Sequence, residues 1–158
     1  MVENRLKLVS VGGTFDVMHK GHWFLLEETF NVGDLAVIGI TTDEFAATLK
    51  KEHEIDCYEK RRRDVVNFLR ERGYYERAEI VPLKDPFGPT VDSNYIEGII
   101  VSEETEPTAE VINQMRVDRG LRPLLMFVIT MVLAEDGKPI SSTRVRRQEV
   151  DRFGRLIG

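Results

Sequence analysis

Two short stretches hold the residue types that phosphate chemistry needs. The first reads Gly12-Gly13-Thr14-Phe15-Asp16-Val17-Met18-His19-Lys20-Gly21-His22. Paired glycines let the backbone turn tightly and come close to a ligand. His19 and His22 stand three apart, which puts them on one face if a helix begins there. Gly21 keeps the space between them clear of a side chain. A helix start offers unpaired N–H groups and the positive end of a dipole, which together attract phosphate. Two imidazoles beside it can donate to phosphate oxygens. The competing readings are a metal-binding histidine pair and plain capping or packing histidines. A metal pair lacks further His or Cys ligands nearby. The glycine turn alone is weak evidence, since it is not even G-x-G-x-x-G. The whole string, straight after an apolar run, is far more specific.

The second stretch reads Gly137-Lys138-Pro139-Ile140-Ser141-Ser142-Thr143-Arg144-Val145-Arg146-Arg147. Ser141 or Ser142 suits a helix N-cap, with Pro139 just ahead. Three hydroxyls followed by Arg144, Arg146 and Arg147 make a clamp for a polyanion. Alone, the stretch reads equally well as a capped, basic C-terminal helix. Beside the histidine motif it reads as the other half of one phosphate site.

The elements that must position these residues alternate along the chain. Leu6, Leu8, Val9 and Val11 form an apolar run that stops at Gly12-Gly13. A helix over about 21–30 closes at Asn31-Val32-Gly33. Leu35 to Ile40 is nearly all apolar, as a strand buried on both faces must be. Thr41, Thr42 and Asp43 can cap a helix carrying Phe45 and Leu49. A further helix runs from Tyr58 to Arg72 and stops at Gly73. Strands three to five are expected over 78–83, 98–101 and 124–130. A helix over 108–119, with Pro107 just before it, joins the last two. Residues 84–97 read as an ordered loop. This pattern predicts one three-layer α/β domain over 1–158 with a five-stranded parallel sheet. Ligands in such sheets bind beyond the carboxyl ends of the strands, where both motifs fall.

Composition narrows the setting. The chain has 158 residues, 42% hydrophobic and 31% charged, which suits one soluble domain with a real core. The most apolar stretch, residues 124–134, is far short of the roughly 20 residues of a spanning helix. No signal-peptide pattern is visible. One cysteine, Cys57, excludes an internal disulfide and a Cys-based zinc site, and a reducing cytoplasm is the expected home. The net charge of −5 argues against general binding to nucleic acid, and nothing points to a membrane.

With these residues in view, His19-Lys20-Gly21-His22 resembles the HxGH signature of the nucleotidyltransferase superfamily. Ile140 to Arg146 resembles its ISSTxxR partner. Within that superfamily the chain is similar, nearly end to end, to phosphopantetheine adenylyltransferases of the archaeal and eukaryotic type. The branch-specific pieces are 11–16, 58–61, 85–90, 101–105 and 133–144. The resemblance implies a Rossmann-like fold and adenylyl transfer from ATP to 4′-phosphopantetheine, with Mg²⁺ bound mainly through the ATP phosphates. It implies His19, His22 and Arg146 as the catalytic residues. Gly13, Thr14, Phe15 and His22 would meet ATP from the first motif. Ser102, Ile140, Ser141, Ser142, Thr143 and Arg146 would meet it from the other side. Thr14, Asp16 and either Lys50 or Lys51 would meet the acceptor, and Asp16 would also orient the first loop. The chain departs from the bacterial branch after strand four, where Ser102-Glu103-Glu104-Thr105 replaces an arginine-glycine motif. The 85–90 loop is the candidate replacement.

The rivals are a cytidylyltransferase for a phosphorylated alcohol, an FAD synthetase, or a non-catalytic nucleotide sensor. The first two usually carry an R-T-x-G-I-S-T-T second motif, which this chain lacks. Intact histidines argue against a sensor. Oligomeric state is left open. Lys60-Arg61-Arg62-Arg63, flanked by Glu59 and Asp64, reads as an exposed helix face, from which Arg61 can reach the site because it shares a face with Val65 and Phe68. His53 reads as solvated, Trp23 and Phe24 as packing, and Phe127 and its neighbours as core strand.

Overall fold

The computed structural model describes residues 4–49 and 54–158. Lys50, Lys51 and His53 lie outside them. Five strands form one sheet: β1 (Leu6–Gly13), β2 (Gly33–Thr41), β3 (Ala78–Leu83), β4 (Gly98–Ser102) and β5 (Leu125–Ile129). The order is β3-β2-β1-β4-β5, and every pairing is parallel. The sheet therefore reverses its winding at β1, between β2 and β4.

Strand periodicity sorts the core into two faces. Val9 and Val11 of β1, Ala36, Ile38 and Ile40 of β2, and Ile100 of β4 point to one side. There they meet Leu26 and Phe30 of α1 (Lys20–Val32) and Val65, Phe68 and Leu69 of α3 (Tyr58–Arg72). Val37, Ile99 and Val101 point to the other side, against Ala109 and Ile112 of α4 (Glu106–Asp118). The result is the expected three-layer, Rossmann-like arrangement.

Helix ends follow their local chemistry. Thr42 caps α2 (Asp43–Thr48) by accepting from the Phe45 N–H. Gly73, at φ 76°, ends α3 in the left-handed region that glycine reaches without strain. α4 starts two residues earlier than expected, so Pro107 lies in its first turn, where a missing N–H costs nothing. The 84–97 loop is ordered around a 3₁₀ turn, Gly88–Val91, begun by Asp85 accepting from the Phe87 and Gly88 N–H groups.

β5 corrects one expectation. It is an edge strand, with Leu125 and Val128 exposed and Phe127 only half-buried. The chain leaves it through a connector to α5 (Ser142–Arg146), a single turn that covers little of it. Phe24 is likewise exposed, whereas Trp23 packs on the core and edge-on to Phe153. Among the described residues, no helix is long and apolar enough to cross a membrane.

Candidate active site

A cleft of about 530 Å³ opens where the winding reverses, beyond the carboxyl ends of β1 and β4. Its floor is the β1–α1 loop, including Gly13, Thr14, Phe15 and Asp16, with His19 and His22. Ser102 enters from the end of β4, and Ile140, Ser141 and Ser142 from the approach to α5. One arm runs towards Phe45, Leu49, Leu83 and Pro86, so the 85–90 loop contributes one wall residue. The other runs towards Thr105, Thr108 and Met131. Thr143 and Arg146 are not part of the wall; Arg146 reaches it through Asp16.

The two histidines form a reciprocal cap. His19 is the N-cap of α1, and its Nδ1 accepts from the Gly21 N–H at 3.0 Å. His22, at the third helical position, accepts at Nδ1 from the His19 N–H at 3.2 Å. This is a capping box built from imidazoles. The hydrogen-bond pattern assigns the tautomers. A neutral ring whose Nδ1 accepts carries its proton on Nε2. The rings lie 4.0 Å apart between centroids and share one face. Gly21 is needed for this: a Cβ there would sit 2.8 Å from Cε1 of His19. Burial, helped by the charge of Arg152, lowers the His19 pKa from 6.5 to about 4, so the ring stays neutral near pH 7.

The same contacts correct the expectation of open helix N–H groups. Lys20 N donates to the Arg152 carbonyl at 2.8 Å, and Gly21 N is held by His19. Imidazole Nε2–H groups, rather than those two amides, are what the start of α1 presents.

Asp16 joins the two motifs. Its neighbours Phe15 and Val17 have φ 54° and 48°, a strained region for side chains of their size. Asp16 is buried between them and holds the loop in place. Its carboxylate accepts from Nε of Arg146 at 3.0 Å, Nη2 of Arg146 at 2.9 Å and the Asp56 N–H at 2.9 Å. Its carbonyl accepts from the Ser142 hydroxyl. The Asp16 hydrogen bond, opposed by burial and aided by Asp56, holds the Arg146 guanidinium well above its ordinary pKa. Ser141 is the N-cap of α5, accepting from the Arg144 N–H. α5 is too short to carry much dipole, so its contribution rests on side chains.

Two further residues need placing. Arg61 does not stay with its basic neighbours on the exposed face; it turns inward towards the site on the face of Val65 and Phe68, as its position allows, and is wholly buried. Its Nε donates to the Asp56 carbonyl at 2.7 Å, and Nη1 to the carbonyls of Thr14 at 2.9 Å and Thr41 at 2.8 Å. Its Nη2 meets Asp43 at 3.1 Å. Arg61 thus pins the first loop to the end of β2. Lys60, Arg62 and Arg63 are exposed, as expected. Arg144 does not belong to a phosphate clamp either. It pairs with Asp136 and Glu149 and donates to the Pro139 carbonyl, bracing the turn before α5. Sequence reasoning missed Asp56 altogether; its only signal was a carboxylate just ahead of α3.

Comparison with known proteins agrees with this geometry. Residues 10–148 match the model of the Cytidylyltransferase-like family. A protein of Methanothermobacter thermautotrophicus named phosphopantetheine adenylyltransferase is 46% identical over 156 residues, covering 99% of this chain and 93% of that one. The protein of the same name from Methanopyrus kandleri is 46% identical over 147 residues, covering 93% and 92%. A crystal structure of a protein of unknown function from Archaeoglobus fulgidus superposes with a TM-score of 0.68 at 31% identity, covering 78% of this chain and 89% of that one. Match length, identity and the two motifs at one cleft agree: this chain belongs to the phosphopantetheine adenylyltransferases of the cytidylyltransferase-like family.

Proposed function

We propose that this chain transfers the adenylyl group of ATP to 4′-phosphopantetheine, giving dephospho-coenzyme A and pyrophosphate, a step of coenzyme A synthesis in the cytoplasm. The observation that carries this reading is the imidazole capping box in the floor of the cleft. Each ring has Nδ1 occupied by a backbone N–H and therefore carries its proton on Nε2. Such rings are hydrogen-bond donors, suited to phosphoryl oxygens.

An oxygen of the acceptor phosphate attacks the α-phosphorus of ATP in line. The bond from that phosphorus to the α–β bridging oxygen breaks, and the electron pair leaves with pyrophosphate. This displacement needs positioning and charge neutralisation rather than a protein nucleophile. His22, with the backbone at Gly13, Thr14 and Phe15, stabilises charge growing on the α-phosphate. His19 holds the cap and supplies a second donor. Ser141 and Ser142 face the β- and γ-phosphates from the wall, and Arg146, behind them on α5, supplies its charge to the same oxygens. The base lies in the arm past Ser102, Thr105 and Thr108. The acceptor lies in the arm formed by Phe45, Leu49, Leu83 and Pro86, whose apolar wall suits an alkyl-amide chain. Lys50 or Lys51, just after Leu49 in sequence, meets its phosphate.

Mg²⁺ enters this reading on the ATP phosphates, where it supplies positive charge to their oxygens. Asp16 is buried against Arg146, so it is not offered to a metal, which fits an ion held mainly by the nucleotide. Among the described residues, no group of three or more His, Cys, Asp or Glu is placed to hold a metal ion.

A substrate matrix tests the function. ATP and CTP are each paired with 4′-phosphopantetheine, glycerol-3-phosphate and ethanolamine phosphate, and pyrophosphate is measured. ATP with 4′-phosphopantetheine is expected to be the best pair, and dephospho-coenzyme A with pyrophosphate should regenerate ATP. A preference for CTP with glycerol-3-phosphate would overturn the assignment.

A further inference from the structure

Arg146 is held by two carboxylates that differ in how firmly they are fixed. Asp16 is 3% exposed at its side chain and grips the guanidinium through both Nε and Nη2. It is itself anchored by the Asp56 N–H. Asp56 is 26% exposed and meets Arg146 only at Nη2, at 3.0 Å from Oδ1. Its other oxygen lies 3.6 Å from Nζ of Lys60, itself half-exposed. One partner is built in, and the other is exchangeable.

Arg146 also lies four residues after Ser142, so the two share a face of α5. Ser142 lines the cleft, and so does Asp16. A polyanion seated against Ser142 is therefore next to the guanidinium edge that Asp56 occupies.

We propose that Asp56 is an exchange partner for Arg146: it holds the guanidinium while the phosphate subsite is empty, yields it to the arriving triphosphate, and recaptures it as pyrophosphate departs. The inference rests on the functional reading above, in which Arg146 serves the β- and γ-phosphates. Asp56 is then a positioning residue that sets how tightly the enzyme holds its leaving group. The charge state fits. Burial alone would raise the Asp56 pKa, but the hydrogen bond and charge of Arg146, with Lys60, outweigh it and hold the carboxyl below its ordinary value. Lys60 holds Asp56 only loosely, since its ammonium lies nearer to Asp64, at 2.9 Å, than to Asp56, at 3.6 Å. Without Asp56, Arg146 would meet the phosphates with one fewer competitor.

The test is calorimetric titration of inorganic pyrophosphate and of ATP, each in Mg²⁺ buffer without acceptor. The proteins are wild type, Asp56→Asn, Arg146→Met and the double variant. Asparagine keeps the backbone contacts of Asp56 to Asp16 and Arg61. Asp56→Ser serves as a second replacement should Asp56→Asn fold poorly. The expected result is about three- to tenfold tighter binding of both ligands by Asp56→Asn. In the Arg146→Met background that gain should vanish. Unchanged or weaker binding by Asp56→Asn would overturn the exchange role. So would a gain that persists without Arg146, because it would reflect only the lost negative charge. If wild type bound neither ligand, the functional reading itself would fall, and this inference with it.

Discussion

Replacing His22 by alanine is expected to lower kcat by about 10² to 10³-fold, or about 2.7–4 kcal/mol of transition-state stabilisation. KM for ATP should move much less. The reason is the timing of charge. A donor aimed at the α-phosphate gains most when the pentacoordinate phosphorus forms, so its loss falls on turnover rather than on ground-state binding. His22 has a second role, because its Nδ1 receives the His19 N–H. His22→Ala should therefore also lose a cap contact, worth on the order of 1 kcal/mol. Glutamine separates the two roles. At this position of a capping box its side-chain oxygen can still accept the N-cap N–H, whereas its amide N–H₂, on a more flexible chain, no longer fixes a donor where the ring Nε2–H points. His22→Gln should melt close to wild type yet stay impaired in kcat. Steady-state kinetics beside thermal melts would read both. Wild-type turnover in His22→Ala would show the histidine to be a cap and nothing more.

Arg61 should give the largest loss of stability. Arg61→Met would leave the carbonyls of Asp56, Thr14 and Thr41 without their donor, the bond to Thr41 fully buried and the other two partly so. A buried carbonyl stripped of its partner costs about 1–3 kcal/mol, and the two partly buried ones add less each, so the loss should be about 3 kcal/mol. That is a large share of the roughly 5–15 kcal/mol that holds a domain folded. Arg61→Lys should not restore it, because an ammonium lacks the planar fork that reaches these carbonyls from separate nitrogens. Urea unfolding measures the effect. A midpoint for Arg61→Met equal to that of wild type would refute the pinning role.

Local signals and distant ties were unequally legible in the sequence. Ala78–Leu83 and Tyr58–Arg72 have the bounds read from apolar runs and from Gly73, because such signals are carried by neighbours in the chain. The two motifs were visible for the same reason. Arg61 was legible only in part: its place on the face of Val65 and Phe68 points it inward, but its carbonyl partners lie 5, 20 and 47 residues away. The Asp16–Arg146 pair spans 130 positions, so only the fold brings it together. The histidine cap is a middle case. Its three-residue spacing is that of a capping box and allows capping histidines as one reading, but imidazoles are not the usual occupants, so the spacing alone does not show that they cap and line the cleft at once. The exposure of β5 could not be read at all, because an apolar run does not say whether its strand is central or at an edge.

In the proposed reaction the cleft works through positioned donors in a single displacement, with no adenylylated protein intermediate. His22 is the group on which this turns, since an imidazole could in principle accept the adenylyl group itself. The stereochemical course at phosphorus decides between the two. ATP carrying sulfur at the α-phosphorus in one defined configuration is converted with 4′-phosphopantetheine, and the configuration of the product phosphorothioate is determined. One in-line attack predicts inversion, in keeping with an Nε2 that carries a proton and donates it. Retention would mean two successive displacements through a protein-bound adenylyl group, and would contradict the account.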